Sequence, residues 1–164
     1  MNPTATPDSG PKRDYYRHNF LSFLDSVHGL YSDILSDHER SYIGTLNELS
    51  TDAQCLYARL ISRVGPLFRS DKVSYDEITD IPAAARELEQ KELLRIDGEY
   101  DAEDILKLLL KSEIVEMIVS MGLSIETPAR SKKIALLEAV LSIDDDGSIS
   151  RYRTELFATY EPLE

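Results

Sequence analysis

The stretch Leu49–Arg69, LSTDAQCLYARLISRVGPLFR, decides how this chain is read. Leu56, Tyr57, Leu60, Ile61 and Val64 recur at helical spacing. Thr51 followed three residues on by Gln54 reads as a capping box that opens the helix. Gly65-Pro66 supplies a left-handed end and then forbids continuation. Arg59 and Arg63 lie four apart and share one flank, Arg69 and Lys72 follow in an extended segment, and Asp71 is the one acid among them. With 30 acidic and 18 basic residues and a net charge of -12, the chain reverses its sign locally here. A buried helix with solvated arginines on its rim is the bland reading of the same residues.

Upstream, Tyr16, Phe20, Phe23, Leu24, Val27, Leu30, Tyr31 and Ile34 form a helical stripe of about six turns, a pattern that normally faces a core. Ser36 with Glu39 makes a second capping box and opens a shorter helix presenting Tyr42, Ile43 and Leu46. The two are expected as an antiparallel pair against the central helix. Residues 1–13 carry three prolines and nothing apolar enough to anchor them, which reads as a disordered tail.

Downstream, Leu67-Phe68-Arg69 and Lys72-Val73 read as extended chain with a turn at Ser70-Asp71. Ser74 with Glu77 forms a third box and predicts a one- or two-turn helix through Ile78. Asp80 caps the next helix, which tolerates Pro82 in its first turn and turns Ala84, Ala85, Leu88 and Leu93 inward. Leu94-Arg95-Ile96 reads as a strand that turns at Asp97-Gly98. Helix, extended segment, short helix, helix and hairpin is the order of a winged helix-turn-helix. Its third helix would present Arg86, Glu87, Glu89, Gln90, Lys91 and Glu92, and three carboxylates make it a poor reader of bases.

Asp101 caps a helix through Leu110, Ser112-Glu113 starts another that stops at Gly122, and Ser131 caps a third with Ile134, Leu137 and Leu141. Arg130, Lys132 and Lys133 gather at the start of that last helix, where unpaired backbone N–H groups add to the side chains and suit phosphate. The alternative is a capped surface helix with incidental lysines. The end of the chain predicts an acidic loop and one more helix around Tyr152, Leu156 and Phe157. As a calcium loop Asp144-Asp145-Asp146-Gly147 fails, because Arg153 stands where the bidentate glutamate belongs.

The remaining chemistry is sparse. No apolar run approaches the roughly 20 residues of a membrane span. One cysteine, Cys55, excludes an internal disulfide and fits a reducing compartment, so the chain reads as intracellular, from a bacterial cytoplasm or a nucleus. His18, His28 and His38 lie ten apart, a spacing that suits no metal site. Glu89-Gln90-Lys91 matches a glutamate-any-lysine nuclease signature, yet it falls in an amphipathic helix rather than on a strand edge behind an aspartate, and takes no catalytic role.

The run LYARLISRVGPLFRSDKVSYDEI, preceded by YYRHNFLSFLDSV and followed by ARELEQKELLRID, resembles the N-terminal region of the Fanconi-associated nuclease family. To this the helix pair from Ser112 to Ser142 adds what looks like its SAP module. The resemblance implies a mainly α protein: a tail at 1–13, a helical and winged-helix-like domain at 14–100, a SAP-like module at 101–142, and an acidic loop and helix at 143–164. It further implies contact with duplex or branched DNA, including 5′ flaps, in interstrand cross-link repair. Arg130, Lys132 and Lys133 would serve as DNA-binding residues, with Arg63, Arg69 and Lys72. In that family the helical repeat and the nuclease domain, a Mg- or Mn-dependent phosphodiesterase, lie beyond this region, so the chain alone is expected to hold no cofactor and no catalytic residue. The reading from a different class is an acidic protein-interaction or scaffold module.

Overall fold

A computed structural model describes residues 14–96, 100–122, 132–143 and 156–159. Among these the chain forms seven α-helices and three short strands, and is mainly helical. It divides into two compact units, each taken over its described residues. One comprises Met1–Pro66, Val73–Leu94 and Thr159–Glu164, the other Leu67–Lys72 and Arg95–Ala158.

The first unit is built on α3, Thr51–Ile61, packed most extensively against α4, Ile81–Gln90, and α1, Tyr15–Tyr31. Helix α3 is buried nearly all round, with Ala53, Cys55, Leu56 and Leu60 fully enclosed. Burial pushes the Cys55 thiol up, away from the reactive thiolate. The helix is capped by Ser50, whose hydroxyl accepts from Ala53 N–H, and the expected Thr51–Gln54 box does not form. Gln54 is buried instead, donating to the carbonyls of Leu46 and Asn47 at the end of α2, Asp37–Glu48, and accepting from Arg17 at 2.9 Å. Helix α3 also stops at Ile61, so Val64, expected on its apolar side, is fully exposed. Gly65 takes the left-handed φ of 91° that the Gly-Pro pair implied.

The stripe on α1 is core only in part. Leu24 is buried and Phe20 lies against Tyr57, but Phe23, Leu30 and Ile34 are 62%, 74% and 73% exposed. A 17-residue helix spans about 25 Å and the 11-residue α3 about 16 Å, so the longer helix cannot bury its whole length on the shorter. The box at Ser36 and Glu39 forms as read, with both reciprocal bonds. Asp80 likewise caps α4 through Ala83 N–H at 2.9 Å. The short helix expected from Ser74 to Ile78 is only a turn, because the Glu77 side chain leaves Ser74 for Tyr16 and Arg59.

The second unit holds β1, Leu67–Arg69, a 3-10 turn at Ser70–Lys72, and helices α5 (Ala102–Leu108), α6 (Lys111–Ser120) and α7 (Lys133–Leu141). Its core is wholly apolar: Leu106, Leu109, Ile114, Met117, Ile118, Leu136 and Val140. The segment expected as a final helix is a strand, β3, Leu156–Thr159, paired antiparallel with β1 with Phe68 in register with Phe157. It lies between β1 and β2, Leu94–Ile96. Four residues of mixed apolar character carry no periodicity that separates helix from strand, and the long-range partner decides. The turn at Asp97-Gly98, the tail, Arg130, Ser131 and the acidic loop lie outside the described residues.

Candidate nucleic-acid interface

Of the basic edge around the central helix, Arg59 is committed elsewhere. Its Nε and Nη2 donate to Glu77 Oε1 at 3.0 and 2.8 Å, its guanidinium lies 3.7 Å over the Tyr16 ring, and Tyr16 OH donates to the same carboxylate oxygen. Burial would raise the Glu77 carboxyl, but the bonds from Tyr16 and Arg59 outweigh it and hold it below its ordinary value. Arg63 is exposed and its guanidinium lies 3.3 Å from Tyr75 OH.

In the second unit, Arg69 and Lys72 come together around two carboxylates. Arg69 is a strand residue with a side chain only 10% exposed. It forks onto Asp71 through Nε at 2.9 Å and Nη2 at 2.6 Å, and its Nη1 donates to Glu113 at the start of α6. Glu113 also accepts the Leu110 N–H at 2.6 Å, and so closes the N-terminus of α6. The bond from Arg69 holds both Asp71 and Glu113 below the usual carboxylate range. Lys72 stands 3.6 Å from Asp71 and 4.0 Å from Glu113, half exposed. The sequence showed one acid on this edge. Glu113, 44 residues beyond Arg69, is the second, and only its capping position hinted at a task.

The start of α7 is of another kind. Lys132 is its N-cap, exposed and without a side-chain cap bond, and Lys133 is its first residue, with Nζ donating to the Lys107 carbonyl at 2.8 Å. No acidic residue lies in its first turn. Every other described α-helix has a carboxylate at its start. Asp14 precedes α1, Glu39 boxes α2, Asp52 opens α3, Asp80 caps α4, Glu103 and Asp104 open α5, and Glu113 closes α6. A helix start carries roughly half a positive charge, and at α7 two lysines add to it where a carboxylate would cancel it. Among the described residues no three His, Cys, Asp or Glu side chains are placed to hold a metal ion. No described helix is long and apolar enough to cross a membrane.

The family model described as FAN1, HTH domain, matches residues 14–95. A Fanconi-associated nuclease 1 homolog of Pseudomonas aeruginosa is 34% identical over 107 residues, which is 65% of this chain and 19% of that protein. A homolog of the same name from Oryza sativa subsp. japonica is 31% identical over 114 residues, 66% of this chain and 12% of its own length. The chain therefore spans about a fifth or less of these relatives. Among solved structures, paFAN1 bound to 2nt 5′ flap DNA with gap superposes with a TM-score of 0.79 at 28% identity, covering 93% of this chain and 28% of that one.

Proposed function

This chain belongs to the Fanconi-associated nuclease family, and from that membership we propose that it is a DNA-binding region, holding duplex or 5′-flap DNA by its backbone and positioning it for nuclease chemistry carried out elsewhere. The observation that carries the reading is the start of α7, which gathers Lys132 and Lys133 on a helix N-terminus with no carboxylate in its first turn. Arg130 adjoins them in sequence. Phosphate is the ligand that such a site suits, and backbone contacts position a duplex without reading its sequence. The flap DNA named for paFAN1 supports branched DNA as the substrate class. Arg69 and Lys72 form a secondary edge in the second unit, Arg69 acting there through its partners, and Arg63 is a separate candidate contact in the first. The helix pair α6–α7 then plays the part of a SAP-like module. A Mg- or Mn-dependent nuclease and a helical repeat region would be the remaining parts of the assembly, and an intracellular setting follows from DNA as ligand.

Fluorescence anisotropy on two unrelated duplexes and a 5′-flap substrate over a salt series tests the proposal. Affinity should be similar for the two duplexes, and log affinity should fall linearly with log salt, by about 0.9 per neutralised phosphate. Binding that ignores salt, or no DNA binding beside capture of a basic protein, would favour the scaffold reading.

A further inference from the structure

The cluster Arg69, Asp71, Lys72 and Glu113 is more ordered than a phosphate-binding edge needs. An arginine meant for a DNA backbone keeps its fork toward solvent. Arg69 is 10% exposed, and all three of its guanidinium nitrogens donate to carboxylates. We propose that Arg69 is a positioning residue that neutralises Asp71 and Glu113, so that Lys72, not Arg69, meets phosphate on this edge. The inference deepens the DNA-binding reading and rests on it.

The charge balance gives the mechanism. Two carboxylates and two cations sum to zero around Lys72, which sits 3.6 and 4.0 Å from the acids. Without Arg69 the same place carries one net negative charge and repels a phosphate. Glu113 cannot move aside, because it accepts the Leu110 N–H that starts α6. Removing Arg69, the least exposed member, leaves the charge of the two carboxylates uncompensated, while removing all three groups together leaves no such imbalance. Arg69 thus acts on DNA only through its partners, and a variant lacking Arg69 and both acids should not miss it.

The experiment compares duplex affinity of wild type, Arg69→Ala, and the triple variant Arg69→Ala, Asp71→Asn, Glu113→Gln. In the triple variant glutamine keeps an acceptor for Leu110 N–H. Arg69→Ala should bind about threefold more weakly, roughly the response of one phosphate contact to a fourfold change in salt. The triple variant should bind at least as tightly as wild type. A triple variant as weak as Arg69→Ala means that Arg69 touches phosphate itself and overturns the inference. If Arg69→Ala does not fold, as circular dichroism would reveal, the triple variant against wild type still decides. A wild type without salt-dependent duplex binding overturns the DNA-binding reading, and this inference with it, whereas a weak triple variant beside a binding wild type overturns this inference alone.

Discussion

The two units differ in where their charged side chains are used. In the first, charge turns inward and holds backbone. Glu77 joins Tyr16 of α1 to Arg59 of α3, Glu87 of α4 accepts the Ser50 N–H at 2.8 Å, and Asp52 accepts the N–H groups of Thr79 and Asp80 at 2.9 and 3.2 Å. In the second, the core is seven apolar residues, the buried-side charge is gathered at Arg69, Asp71 and Glu113, and Lys132 at the start of α7 is exposed. The difference teaches which basic residues remain to meet a ligand. Arg59 and Arg69 look as available in sequence as Lys132, but the fold has already assigned them partners.

The comparison can be broken first at its framework. Leu60 is fully buried, and Leu→Ala in a packed core costs about 2 to 5 kcal/mol. Leu60→Ala should lower the thermal midpoint by many degrees, whereas Lys132→Ala with Lys133→Ala should leave it unchanged. Equal losses in the two variants would mean that the lysines also hold the fold.

Acid sharpens the same contrast. Glu77 is held below its ordinary value of 4.5 in the fold, so it stabilises the protein above that pH, and its contribution is lost as pH falls through the lowered value. Arg59→Ala removes a bond that lowers the carboxyl while the burial that raises it remains. Acid unfolding followed by circular dichroism should then begin at a higher pH than in wild type, and an unmoved acid limb would show that the Arg59–Glu77 pair is incidental. The smallest effect is local. Glu92 follows α4 with φ of 58°, a left-handed position that side chains resist, and glycine there should gain up to about 1 kcal/mol. A destabilised Glu92→Gly variant would show that the Glu92 side chain holds something that outweighs its strain.

What was legible in the sequence was local. Ser36 with Glu39 and Asp80 before Pro82 each act within a few residues and behave as read, and Gly65 takes its left-handed φ although α3 has already ended at Ile61. The lysine pair at a helix start was legible for the same reason. What failed depended on distance. Glu77 reaches Tyr16 across 61 residues and so never forms its box, β3 is a strand only because β1 receives it, and Arg69 finds Glu113 far down the chain. Gln54 is an instructive miss. A lone amide between Ala53 and Cys55 on a helix that is otherwise apolar inward could have signalled a buried bond to backbone, but not which carbonyls it would serve.

The central claim is that the start of α7 meets the DNA backbone. It is tested most directly by the salt dependence of duplex affinity in wild type and in the Lys132→Ala, Lys133→Ala double variant, measured by anisotropy on two unrelated sequences. The account predicts weaker binding on both duplexes, by more than Arg69→Ala causes, with a salt slope shallower by about 1.8, two phosphates' worth. An unchanged slope and affinity would contradict it, and a loss on only one duplex would contradict the claim that this helix start holds backbone rather than bases.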